Sequence, residues 1–207
     1  YEFLGIVLEE EFHLSFPFVF EHEGDVFMIP ETSQARDIRL YKCKKFPYKW
    51  ELECILMENI NAADSMVIQK KNEWILLTNI CSANCNDHLS ELHIFYSRNL
   101  KSKEWEPIKK GNPLIFNSEK AKNGGLFRHN EILYRINQKH RKGNYGYSFE
   151  INKINNISKK DYSEELICEI TPNFKHNIVS THHFNANKNI AVVDFCRMQR
   201  LYSAEKN

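Results

Sequence analysis

Ser15-Phe16-Pro17-Phe18-Val19-Phe20-Glu21-His22-Glu23-Gly24-Asp25-Val26-Phe27-Met28-Ile29-Pro30-Glu31 decides the fold. Two apolar runs, residues 18–20 and 26–29, flank a polar turn that contains Gly24. Short runs rich in aromatic and β-branched residues, broken at a glycine, favour a hairpin over a helix. One hairpin is marginal in water. Recurrence gives this one weight. The pattern returns at residues 64–68 with 73–79, at 123–127 with 131–135, and more weakly at 182–184 with 189–194. Between the copies lie further pairs of strand-like runs: 38–41 with 50–56, 91–96 with 105–108, and 145–149 with 165–167. Superposing Phe20, Ile68, Phe127 and Phe184 gives a repeat of roughly 48 to 59 residues holding four strands, the period of a propeller blade. The predicted fold is an all-β propeller.

The repeat argues for a single propeller domain over residues 1–207. Residues 16–60, 61–115 and 121–172 read as blades, and 178–203 as a final partial blade. Residues 1–10 match 50–58 in pattern and precede a first strand by the same distance, so residues 1–15 read as the outermost strand of a truncated blade. Two closures follow: strands near Val193 and Leu201-Tyr202 pair with that segment in a four-bladed ring, or an upstream blade is missing. The polar stretch 152–160 reads as a long loop, and 162–165 as a single turn.

Charge and composition exclude several function classes. The chain carries 28 Lys and Arg against 27 Asp and Glu, a formal net charge of +1, so nothing demands nucleic acid or an anionic membrane. No apolar run approaches the roughly 18 residues of a membrane span, and no signal peptide is legible. Six cysteines lack the density of a disulfide scaffold. Cys43, Cys54, Cys168 and Cys196 read as small buried thiols, and unpaired thiols point to the cytoplasm. Cys81, Cys85 and His88 have metal-like content, but zinc takes about four ligands. The set falls short unless Asp87 or His93 completes it. The expectation is an ordinary loop there, with no metal and no cofactor.

In a propeller, the first strand of each blade starts at one face of the central channel and the second strand returns to it. That logic gathers Ser15, Asp64, Asn123, His182 and His183 with Glu31, Asn79, Arg135, Gln138 and Asp194 around one mouth. Asp64 and Glu31 are the candidate acid and base. Arg135, Gln138, His182, His183, Tyr145 and Asn79 are the candidate substrate-binding residues. Each has a plainer role open to it: Asp64 in a turn, Glu31 at a solvated strand end, Arg135 and Gln138 as ties between neighbouring blades, Asp194 in the inter-blade polar network. His182 and His183 are adjacent, so within a strand only one can face the channel. Trp50, Trp74 and Trp105 read as core.

With those residues in view, the chain resembles the N-terminal propeller domain named after plant glucosamine inositolphosphorylceramide transferase. The resemblance runs through residues 12–20, 28–33, 38–41 and 46–50, then Asp64, 91–96, Leu133-Tyr134-Arg135 with Gln138, Tyr145-Gly146-Tyr147 and Thr181-His182-His183. Its most specific part is the Pro30-Glu31 block. The resemblance implies a five-bladed propeller similar to glycoside hydrolase family 43 and its furanosidase relatives, here lacking most of the first blade, with about four blades present. That family places two Asp and one Glu on successive blades, because hydrolysis needs one carboxyl to protonate the leaving oxygen and another to activate water. Here Ser15 and Asn123-Gly124 offer no carboxylate at two first-strand starts.

Two function classes follow from this. One is a carbohydrate-recognition or carbohydrate-processing module of a surface-glycan biosynthesis protein, holding a sugar or nucleotide-sugar beside a fused or associated transferase domain. The other is a family-43-like glycosidase using paired carboxylates. A protein-docking propeller without catalysis is a third reading.

Overall fold

The computed structural model describes residues 2–82, 87–141, 143–187 and 189–198. Strand follows strand through them, with one 3-10 turn at Ser33–Ala35 and no α-helix among the described residues. The chain divides into two compact units, Tyr1–Asn123 with Asn155–Ser163, and Gly124–Ile154 with Glu164–Asn207.

In the first unit, β1 (Ser15–His22), β2 (Asp25–Glu31), β3 (Asp37–Lys45) and β4 (Lys49–Glu58) form an antiparallel meander in chain order. The hairpin expected from residues 15–31 is present, with Phe18 opposite Ile29 and Phe20 opposite Phe27. A second meander repeats it: β5 (Ala62–Lys70), β6 (Glu73–Ile80), β7 (Glu91–Ser97) and the short β8 (Glu106–Pro107), with β9 (Ile115–Phe116) also pairing β7. Ile29, Leu40, Leu56, Met66, Leu76 and Leu77 are fully buried. The repeat extends to detail. Trp50 donates its indole N–H to Pro47 O, and Trp105 donates to Ser102 O, each at 2.9 Å, so buried tryptophans brace equivalent turns. The first strands also share a bulge, between Ser15 and Phe18 in β1 and between Ala63 and Met66 in β5. Phe16 (φ 44) and Asp64 (φ 49) are the left-handed residues in them, which makes Phe16, one position past Ser15, the repeat equivalent of Asp64.

In the second unit lies most of a third meander, β10 (Asn123–His129), β11 (Ile132–Arg141), β12 (Asn144–Ile157) and β13 (Tyr162–Ile170). Two small ladders complete it, β14 (Ile178–Ser180) with β17 (Cys196–Arg197), and β15 (Phe184–Ala186) with β16 (Ala191–Val193).

Several local expectations are corrected. Residues 2–14 form no strand, because residues 50–58 have β3 to pair with and 2–14 have no ladder partner among the described residues. Residues 152–157 continue β12 instead of looping, since Asn152 is buried and its amide donates to Asn137 Oδ1 at 2.6 Å. Tyr162 opens β13. Cys168 and Cys196 are exposed, while Cys81 is buried and Cys43 and Cys54 are half-buried, all as free thiols.

Candidate functional site

Asp64 is the pivot of the first unit. The β5 bulge turns it out of the strand alternation, a known way of re-aiming a side chain. Its carboxylate accepts a hydrogen bond from Lys122 Nζ at 2.5 Å, and the two side chains are only 5% and 6% exposed. Two charges withdrawn from water persist only as a well-made pair. Around them lies a buried amide network. Asn123 donates its side-chain amide to Asp64 O at 2.9 Å and its backbone N–H to Asn79 Oδ1 at 2.7 Å. Asn79 donates to Glu91 O and Ala121 O. Asn79 thus has its whole amide committed to backbone.

Glu31 is half-buried at the end of β2, accepting hydrogen bonds from Ser15 Oγ at 3.1 Å and Ser33 Oγ at 2.7 Å. It lies at the Asp64 end of the unit, because the His88 ring feels both Glu31 and Lys122. Burial pushes the His88 pKa down, and Lys122 adds to this, while Glu31 opposes it. His88 Nε2 lies 3.0 Å from Asn61 Oδ1. Nearby, His93 Nε2 and Ser82 Oγ share Glu91 Oε2 at 2.8 and 2.5 Å. The Cys81, Cys85 and His88 set includes Cys85, which lies outside the described residues. Among the described residues no group of three or more His, Cys, Asp or Glu could hold a metal ion.

The second unit holds the other candidates. Arg135 is fully buried on β11, forked onto Glu164 through Nε–H···Oε2 at 2.8 Å and Nη2–H···Oε1 at 2.5 Å. Gln138 is buried on the same strand, opposite Phe149. His182 and His183 fall just before β15 rather than within it, so strand alternation does not govern them. Asp194 sets their conformation instead: its Oδ1 accepts both backbone N–H groups, at 2.9 and 2.7 Å, and its Oδ2 lies 2.7 Å from His182 Nδ1. Burial resists ionisation of Asp194, but these hydrogen bonds win and hold its pKa below the usual carboxylate value. Tyr145 stands beside this pair, 58% exposed, its ring edge-on to His182 at 5.5 Å and 4.8 Å from His140. Gly146 makes the approach possible. Its φ is +60, and a Cβ there would lie 2.6 Å from the His182 ring.

Lys122, Asp194, Glu164 and His140 are the site residues that sequence reasoning passed over or gave lesser roles. Nothing local marks Lys122, which alternates with Ser118 and Lys120 like an ordinary exposed polar face. It stands one position before the repeat equivalent of Asp64.

The chain matches the family model "Glucosamine inositolphosphorylceramide transferase 1, N-terminal" over residues 1–197. It is 38% identical over 168 residues to glucosamine inositolphosphorylceramide transferase 1 of Oryza sativa subsp. japonica, covering 79% of this chain and 22% of that protein. To the Arabidopsis thaliana protein of the same name it is 33% identical over 194 residues, covering 89% and 25%. The chain thus spans a quarter or less of the length of these relatives. In structure it is similar to an exo-β-1,3-galactanase from Phanerochaete chrysosporium (TM-score 0.60, 8% identity, 91% of this chain, 44% of that one). It is equally similar to a family-43 glycoside hydrolase from Xanthomonas citri (TM-score 0.60, 7% identity, 91% and 68%). At such identities the likeness concerns the fold, which is all-β and of the propeller type these enzymes share.

Proposed function

This chain belongs to the glucosamine inositolphosphorylceramide transferase 1, N-terminal family, and from that premise we propose that it is the carbohydrate-recognition propeller of a glycan-assembling protein. The relatives carry a transferase name, and the structural neighbours are glycoside hydrolases. On this reading the domain is a five-bladed propeller of which about four blades lie in this chain. Its ligand is a sugar or nucleotide-sugar, passed to a fused or associated transferase domain in the cytoplasm.

The observation that carries the reading is the corner made by Tyr145, His182 and Asp194. An exposed tyrosine face suits the apolar side of a sugar ring. Asp194 Oδ2 lies 2.7 Å from Nδ1 of the imidazole, so on this reading Nδ1 carries its proton toward the carboxylate and Nε2 accepts a hydrogen bond from a sugar hydroxyl. On this reading His183 and Gln138 support this corner, while Arg135, opposite Asn152 further along β12, supports the sheet through Glu164. In the first unit, Asn79 orders the backbone around Asp64, and Glu31 is the carboxylate available to a hydroxyl.

The glycosidase reading rests on the fold likeness. It needs two carboxyl groups free to exchange protons, whereas the Asp64 carboxylate is neutralised by Lys122 at 2.5 Å. Recognition without cleavage therefore fits this chain better. The test is a glycan array probed with the whole chain, followed by product analysis of each glycan retained. Binding without cleavage, weakened about tenfold by Tyr145→Ala, is the expected result, since an aromatic contact of this kind is worth up to about 1.5 kcal/mol beyond its area. Turnover that Asp64→Asn abolishes favours the glycosidase. Retention of no glycan at all leaves the protein-docking reading.

A further inference from the structure

The near-neutral net charge conceals an uneven distribution in the first unit. Strand register sets its two ends apart: Ser15 pairs Glu31 and Asp37 pairs Glu58 at one, while His22 pairs Asp25 and Lys45 pairs Lys49 at the other. The turns of the second meander join the second of these ends, where His22, Glu23, Asp25, Gln69, Arg98 and Lys101 line a common groove of about 350 Å³.

At that end the β3–β4 hairpin projects Lys44-Lys45-Phe46-Pro47-Tyr48-Lys49. Phe46 is 66% exposed and Tyr48 48% exposed, and Lys44, Lys45 and Lys49 are exposed around them. This tip is built, not frayed. Tyr48 N–H donates to Lys45 O at 2.7 Å, and the buried Trp50 indole donates to Pro47 O at 2.9 Å. Trp50 packs with Met28 and Tyr41. Two aromatic rings are thus held outward by a buried anchor, with Lys45 Nζ 6.0 Å from the Tyr48 ring centroid.

Lysines dominate the immediate tip, where Lys44, Lys45 and Lys49 flank the two rings. The acids Asp25, Glu51, Glu53 and Glu73 are taken up by Lys42, Lys49, Lys101 and Lys159. Among the described residues Lys44, Lys45, Lys71 and Arg98 take part in no ion pair. The exposed Glu21, Glu23 and Glu104 offset part of that surplus, Glu23 facing His22 at 3.8 Å. Aromatic rings that sit at the headgroup level, ringed by lysines that reach anionic lipid phosphates, are the chemistry of a peripheral membrane contact.

We infer that the β3–β4 tip docks this domain on an anionic bilayer surface, with Phe46 and Tyr48 entering the headgroup layer and Lys44 and Lys45 pairing with lipid phosphates. Docking at this end leaves Glu31 and Asp64, at the other end of the unit, turned away from the lipid. The inference is independent of the sugar reading.

The test is co-sedimentation of the whole chain with phosphatidylcholine vesicles, with and without phosphatidylserine. The chain pellets with the anionic vesicles alone, and added salt releases it. Lys44→Glu/Lys45→Glu lowers the vesicle affinity by at least about tenfold, since each lysine near such a surface contributes measurably. Phe46→Ser/Tyr48→Ser does the same without making the residual binding more salt-sensitive. All four side chains are exposed, so both variants keep the wild-type urea midpoint, which is checked alongside. Equal binding to neutral vesicles, binding to none, or full binding by either variant overturns the inference. Absence of vesicle binding with capture of a protein partner by the same tip overturns it too, in favour of protein docking.

Discussion

Lys122, from the segment entering the third meander, donates a hydrogen bond to Asp64 in the first-strand bulge of the second, and both side chains are buried. This pair makes the aspartate a fixed structural charge. Lys122→Met strands a carboxylate in a dry site and costs about 3–5 kcal/mol. Asp64→Asn with Lys122→Met removes both charges, and Asn tolerates the left-handed backbone, so the double variant recovers most of the loss. Urea denaturation of the two variants measures the difference. Equal loss in both contradicts the pairing.

Arg135 is held by a two-pronged bond to Glu164. Lysine keeps the charge but not the planar fork. Arg135→Lys lowers stability by about 1–3 kcal/mol and changes sugar affinity of the folded protein by less than about threefold, if Arg135 acts as support. A larger affinity loss at unchanged stability would make the guanidinium a ligand contact.

Gly146→Ala forces a methyl group to within 2.6 Å of the His182 ring, at a φ of +60. The ring must swing away, breaking its contact with Tyr145. Stability falls by about 1–2 kcal/mol for the left-handed residue alone, and sugar binding falls further than stability. Binding titrations with fully folded variant check the second effect.

The pH dependence has a definite sign. Burial, the largest cause in each case, lowers the pKa of His88, His93 and His183 from 6.5. A folded-state pKa below the unfolded value contributes stability fully present above about pH 6.5 and lost as pH falls through the folded pKa. The depressed pKa values of Glu91 and Asp194 act in the same direction at more acid pH. Urea midpoints therefore decline from pH 7.5 to pH 5.5, and His183→Gln, which cannot titrate, shows a shallower decline.

The hairpin at residues 15–31 and its copies were legible because apolar runs and turn residues are local signals that recur. What stayed hidden was polar. Residues 152–157 look like a loop until Asn137 is seen to satisfy Asn152. His182 and His183 appeared to be a strand pair, because nothing local reveals that Asp194 captures both of their backbone amides. Lys122 and Asp64 are 58 positions apart, and only the folded meanders join them. Burial of polar groups depends on distant partners, which periodicity does not encode. The matching patterns at residues 1–10 and 50–58 suggest a strand twice, but pairing needs a neighbour, and among the described residues a ladder partner is present for 50–58 and not for 2–10.

On the proposed function, the Tyr145–His182 corner receives a sugar. Titrating mono- and disaccharides into the isotopically labelled chain, and following the Tyr145 ring and the His182 imidazole by NMR, tests it most directly. Saturable shifts are expected at both rings for at least one sugar, with the His182 shift in Tyr145→Ala needing about tenfold more sugar and no dependence on Lys44 or Phe46. Shifts absent from both rings, while the sugar perturbs other residues or none, would contradict it.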